Sequence, residues 1–229
     1  MISRFKTIGI VLVVIGIGFL AAGGFAYLKV QEGQASLNKF SAAQAVSLSY
    51  NDQGQLVDRG DVEEGQAIMS LLKDDWGYPV VDSELNPNDP IVNTASEYMF
   101  QMATIAYHTL HGTQTVVLPQ DVEYNGTTYA AGTYEVPVDG RYFSQFDRMD
   151  PLQGPAREQA WSGTAHALIA ELGVGTATAS ALQLGLGLVG LFVGIGATFL
   201  LTGAGIVWAV RPETEAVREA KKVPASVTA

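Results

Sequence analysis

Residues 8–28 read IGIVLVVIGIGFLAAGGFAYL and residues 184–210 read LGLGLVGLFVGIGATFLLTGAGIVWAV, and neither run contains a charge. An apolar run of roughly 18 to 20 residues is enough, as a helix, to cross a hydrocarbon layer about 30 Å thick. Both runs reach that length, so the chain reads as a membrane protein with two transmembrane helices. The second run, 27 residues long, extends about 40 Å as a helix and must tilt or reach into the interface. The first run has a rival reading. MISRFK, an apolar stretch and then AAGGFA also describe a secretory signal peptide cleaved near Gly24 and Ala26. Against cleavage, the apolar run continues through Phe25, Tyr27 and Leu28 up to Lys29.

Charge sets the orientation. Seven of the thirteen Lys and Arg residues, Arg4, Lys6, Lys29, Arg211, Arg218, Lys221 and Lys222, lie outside the middle segment, which is far longer than its flanks. The positive-inside rule puts both termini in the cytoplasm, with Lys29 the one residue that argues otherwise. Residues 31–180 hold 20 acids against 6 bases, a formal charge of −14. The expected organisation is a cytoplasmic N-terminus (1–7), a first span (8–28), an acidic extracytoplasmic α+β domain (29–181), a second span (182–210) and a cytoplasmic tail (211–229), in the plasma membrane. So acidic a surface repels nucleic acid and favours a basic protein partner or divalent cations. Cysteine is absent, which excludes disulfides, thiolate metal sites and a cysteine nucleophile.

Within the middle segment, 31–44 continues the first helix or forms a polar stalk, and the alternation at 45–50 predicts a strand with a short hairpin into GQLVD. Asp61 is a candidate N-cap for a helix ending near Asp74. A second helix is expected over 91–111, capped by Asn88 or Asp89 with Pro90 in its first turn and stopped at Gly112. Asn125-Gly126 between VEY and TTY predicts a type I′ hairpin, because both central residues need positive φ. With TYEVPV it is expected to form one small sheet of three or four strands. Pro155 opens a further helix that feeds the second span.

Few constellations carry chemistry. His108 and His111 stand three residues apart on one helix and could present two nitrogens to a metal, but no third ligand follows at suitable spacing. The acid clusters around Asp58–Glu64 and Asp82–Asp89 do not follow a calcium-loop pattern. GLGLVG at 185–190 matches a dinucleotide string only inside an apolar span. No cofactor is expected. Small residues at four-residue spacing mark both spans: Gly18, Ala22 and Ala26 in the first, and Gly190, Gly194, Thr198 and Thr202 in the second. They predict close helix packing, either between the two spans or against a partner, since packing is what holds helices together in lipid. Neither span contains a charged residue, the usual mark of an ion pathway.

The densest soluble motif is GRYFSQFDRMDPLQGPAR at 140–157. Tyr142, Phe146, Asp147, Arg148, Asp150 and Pro151 read as an ordering device or a docking surface, with Asp150 before Pro151 starting a turn and Arg148 free to pair with a carboxylate. With the flanking spans and His108, this motif resembles a group of uncharacterised actinobacterial two-span membrane proteins. Members of that group are often labelled aromatic-ring-opening dioxygenases, a label that no metal triad in this sequence supports. The resemblance implies the same two-pass architecture and no established chemistry. The expected function is non-enzymatic: an accessory, scaffold or assembly subunit of a larger membrane complex, such as a respiratory complex. It would contact membrane lipid and other integral membrane subunits or itself. A solute- or cation-binding sensor and a cell-envelope hydrolase are the alternatives.

Overall fold

The computed structural model describes residues 2–210, without the side chain of Ile2. The expected tail at 211–229, with Arg211, Arg218, Lys221 and Lys222, lies outside the described residues. Two long apolar helices flank a small region of shorter helices and strands. The first, α1, runs Ile2–Gln44, and the last, α5, runs Gly163–Ala209. At 1.5 Å per residue these are about 65 and 70 Å long, so each continues well beyond its apolar run. Both are long and apolar enough to cross a membrane, and little of their most apolar stretches is buried within the protein.

The chain divides into two compact units. One comprises residues 1–36 with 181–229, and the other is Leu37–Ser180. In the first unit α1 and α5 run antiparallel along a seam of glycines. A Cβ placed on Gly9 would lie 2.8 Å from Gly203 O, one on Gly16 2.7 Å from Gly196 O, and one on Gly23 3.1 Å from Val193 Cγ2. Phe19 fits between Phe192 and Phe199, with ring centroids 6.0 and 6.1 Å away. Along the part of α1 that belongs to this unit the buried positions are Gly9, Gly16, Gly23 and Val30, one every seven residues. A seven-residue period keeps a stripe facing its partner with about 20° of drift per repeat, which a shallow left-handed supercoil absorbs.

This corrects one predicted alternative. Gly18, Ala22, Gly190, Gly194, Thr198 and Thr202 are exposed, and Cβ atoms built on Gly18, Gly190 or Gly194 would meet nothing within 4 Å. Ala26, half-buried, ends the same file. These residues do not form the seam between the two helices. The physical reason is rotation: a four-residue step turns 400° in an α-helix, so the file drifts about 40° per step and leaves the seam.

The second unit holds α2 (Val62–Ser70), α3 (Ala95–Leu110), α4 (Gln153–Ala160) and strands β1 (Thr113–Leu118), β2 (Val122–Tyr124), β3 (Thr127–Tyr129) and β4 (Gly132–Pro137). Asp61 caps α2, its Oδ1 accepting from Glu63 N at 2.7 Å, and a π-helical turn, Leu71–Asp75, continues it. The hairpin turn forms as expected, with Asn125 at φ 49° and Gly126 at φ 78°. The strands form two separate antiparallel pairs, β1 with β4 and β2 with β3, instead of one sheet. Asp121 Oδ1 accepts from Ala131 N at 2.8 Å, which closes the β2–β3 hairpin as an excursion between the paired ends Leu118 and Gly132.

Two further expectations shift. The strand pattern at 45–50 makes only isolated bridges, Tyr50 to Leu56 and Ser47 to Ile91. Leu48 N donates to Pro90 O and Val92 N donates to Val46 O, so this segment pairs mainly with the lead-in to α3. That pairing keeps 90–92 extended, and α3 starts later than predicted. Its N-cap is Thr94, in a capping box with Glu97: Glu97 N donates to Thr94 Oγ1, and Glu97 Oε2 accepts from Thr94 N at 2.9 Å and Asn93 N at 3.0 Å. Glu97 is 1% exposed, and burial pushes its carboxyl above the ordinary range despite the backbone donors that oppose the shift.

Candidate functional site

The motif at 140–157 lies where β4, the β2–β3 hairpin, α3 and α4 meet. Asp139 and Gly140, both at positive φ, turn the chain out of β4, and Gly140 N donates to Leu110 O. Arg141 then ties the turn down. Its Nε donates to Val138 O at 2.9 Å and its Nη1 to Gln153 Oε1 at 3.0 Å, while the guanidinium lies 4.4 Å from the Phe146 ring centroid. Phe146 is buried with Ala106 and Leu110 of α3, Val138, Ala160 and Trp161. Burial of such a ring is worth about 1.5–3 kcal/mol, which makes it the apolar anchor of the motif.

The two aspartates act as polar ties. Asp147 Oδ1 accepts from Met149 N and its Oδ2 accepts from Tyr124 Oη at 2.8 Å. Those bonds, the Met149 N–H first and the Tyr124 hydroxyl second, hold its carboxyl below the usual carboxylate range. The same bond to Asp147 raises the Tyr124 phenol. Asp150 is buried; its Oδ1 accepts from Leu152 N and Gln153 N, both at 2.9 Å, and its Oδ2 accepts from Tyr129 Oη at 3.2 Å. It thereby satisfies the first free donors before α4, the work of an N-cap side chain. Pro151 follows within the turn that opens the helix. Gly154 fits closely here, because a Cβ on it would lie 2.7 Å from Arg148 O.

The Arg148 side chain does not enter this network. It is exposed, and no carboxylate of the described residues pairs with it. Tyr142 stacks on Trp161, with centroids 5.6 Å apart, and its Oη accepts from Trp76 Nε1 at 2.8 Å. Phe143 meets His166 edge-on at 5.3 Å and lies under the Arg157 guanidinium at 4.3 Å. Tyr142, Phe143, Arg148 and Met149 are nevertheless exposed, Met149 at 68%. The motif thus has a buried side that holds the domain together and an exposed tip of two aromatics, a thioether and an arginine.

Sequence reading missed several contributors. Gln153 Oε1 accepts from both Arg141 Nη1 and Asp147 N, and Trp161 Nε1 donates to Arg141 O. Tyr124 and Tyr129 reach the motif from more than twenty residues away in the chain, and nothing local in the sequence marks those pairings.

The histidines have different neighbours. His108 Nε2 lies 2.8 Å from Asp58 Oδ2, whereas His111 Nδ1 lies 2.8 Å from Tyr107 O. Among the described residues no three His, Asp or Glu side chains converge as a metal site. No family model matches the chain, and neither the curated proteins nor the solved structures yield a significant match.

Proposed function

We propose that this chain is a non-enzymatic, two-pass accessory subunit that packs against other membrane helices and carries its acidic unit on the far side of the membrane. The observation that carries this reading is the division of the glycines into two sets. Gly9, Gly16, Gly23, Gly196 and Gly203 are consumed in the α1–α5 seam, where a side chain would collide with the facing helix. Gly18, Gly187, Gly190, Gly194 and Gly205 have open space where a side chain would be. Glycine in a helix interior costs up to about 1 kcal/mol relative to alanine, and an outward file of it suits close approach by a further helix. On α5 this face is a shallow groove lined by Gly190, Leu191, Gly194, Ile195, Thr198 and Phe199.

The antiparallel pairing puts the ends of α1 and α5 nearest the chain termini at one end of the pair. Arg4 and Lys6 sit at that end, which the positive-inside rule assigns to the cytoplasm. The formal charge of −14 over 31–180 then faces outward, where it suits a basic protein partner. Extraction in a mild detergent followed by mass spectrometry of the co-purifying proteins tests the reading. A stoichiometric membrane partner lost on Gly190→Leu/Gly194→Leu supports it; a chain that purifies alone from native membranes overturns it.

A further inference from the structure

Near the chain termini the α1–α5 pair is not closed. The backbones touch at Gly9 and Gly203, and beside that contact the larger neighbours diverge around a cleft of about 540 Å³, within the size range of small-molecule clefts. Ile10 and Val14 of α1 form one wall, Val207 and Trp208 of α5 the other, and Ala204 leaves room between them. Trp208 is 75% exposed and Val14 62%. Lys6 stands at the mouth.

Among the described residues the charge around this cleft is one-sided. Along α1 the described residues carry Arg4 and Lys6 and then no charge before Lys29, and α5 carries none after Glu171. No described carboxylate pairs with Lys6. A lysine can lay its stem along apolar surface and hold its ammonium at the headgroup level, and tryptophan prefers the same depth.

We infer that this cleft binds one anionic phospholipid of the cytoplasmic leaflet. Its acyl chain would lie between Val14 and Trp208 over Ala204, and its phosphate would sit on Lys6. The inference rests on the two-span reading. The apolar walls supply affinity common to any lipid; Lys6 supplies the preference for negative charge. A basic residue near an anionic headgroup changes affinity by about fivefold.

The test is native mass spectrometry of the full chain in nonionic detergent with equal phosphatidylglycerol and phosphatidylcholine, beside alkaline carbonate extraction of the native membranes. The wild type is expected to stay in the membrane pellet and to retain phosphatidylglycerol in preference to phosphatidylcholine. Lys6→Ala is expected to lower phosphatidylglycerol retention about fivefold with phosphatidylcholine unchanged. Ala204→Phe, which fills the cleft, is expected to lower both. Equal retention of the two lipids by the wild type, or Lys6→Ala behaving as wild type, overturns the lipid site alone. An adduct with the mass of a second copy of the chain, lost on Ala204→Phe, overturns it in favour of a protein contact. Release of the wild type by carbonate overturns the two-span reading together with the site.

Discussion

Substituting alanine at Gly16 and, separately, at Gly190 separates the two glycine faces. At Gly16 the new Cβ would lie 2.6 Å from Leu200 N and 2.7 Å from Gly196 O, both backbone atoms that no rotamer change can move. Carbon contacts are optimal at about 3.5 Å or more, so the helices must separate by about 0.9 Å. A gap of that size forfeits a quarter to a half of each neighbouring contact, and overpacking of this kind costs about 1–3 kcal/mol. Alanine returns up to about 1 kcal/mol through helix propensity, leaving a net destabilisation of up to about 2 kcal/mol where that return is full. At Gly190 nothing lies within 4 Å, so only the propensity term remains and the pair keeps or gains stability. Because the chain has no cysteine, Phe5→Cys and Ala209→Cys can carry a donor and an acceptor at one end of the pair. The SDS fraction that separates them by energy transfer then measures the seam. Gly16→Ala should separate at lower SDS than the parent, and Gly190→Ala at the same or higher. Equal midpoints for the two variants would refute the assignment of the seam to the seven-residue file.

Four other outcomes follow from the unit Leu37–Ser180. Asp150→Ala removes the acceptor for Leu152 N, Gln153 N and the Tyr129 hydroxyl, and should cost about 2 kcal/mol in thermal unfolding of the detergent-solubilised chain. Arg148→Ala, at an exposed side chain, should change stability by less than about 0.5 kcal/mol; a comparable loss for both would mean that Arg148 has a structural partner. Glu97 has a raised carboxyl, so the folded state holds its proton more tightly than the unfolded chain and the buried charge weighs against folding as pH rises past 4.5. Glu97→Gln keeps the acceptor for Thr94 N and Asn93 N, and its stability relative to wild type should increase between pH 4 and 7; a pH-independent difference would contradict that sign. Asp147 has a lowered carboxyl, so its contribution is present above the unfolded value of about 3.9 and is lost as pH falls through the folded one. Asp147→Asn should flatten the acid limb below about pH 4, and an unchanged limb would count against it.

The long-range plan was legible in the sequence because apolar runs and turn chemistry are local. An uncharged run of more than 20 residues and Asn125-Gly126 each specify their element without help from distant residues. What was not legible depended on partners. The four-residue glycine file is the more conspicuous pattern in the sequence, yet which face of α1 meets α5 depends on the register of two helices with residues 45–162 between them in the chain. The start of α3 moved from Ile91 to Ala95, and its cap from Asn88 or Asp89 to Thr94, because Val46 and Leu48 pair with the lead-in, a contact that Asn88, Asp89 and Pro90 do not announce. The motif at 140–157 reads in the sequence as an ordering device or a docking surface, and its two aspartates accept from backbone N–H groups and from the hydroxyls of Tyr124 and Tyr129. Arg148 is exposed and has no ion pair among the described residues, while Gln153, Tyr124 and Tyr129 complete the network.

The central claim is a two-span chain with its termini on one side and its acidic unit on the other. The cysteine-free background allows single cysteines to be placed at Ser3 and, in the exposed hairpin, at Thr127. With a membrane-impermeant maleimide, Thr127→Cys should label in intact cells and Ser3→Cys only after permeabilisation. Labelling of Ser3→Cys in intact cells, or protection of Thr127→Cys until permeabilisation, would contradict the account.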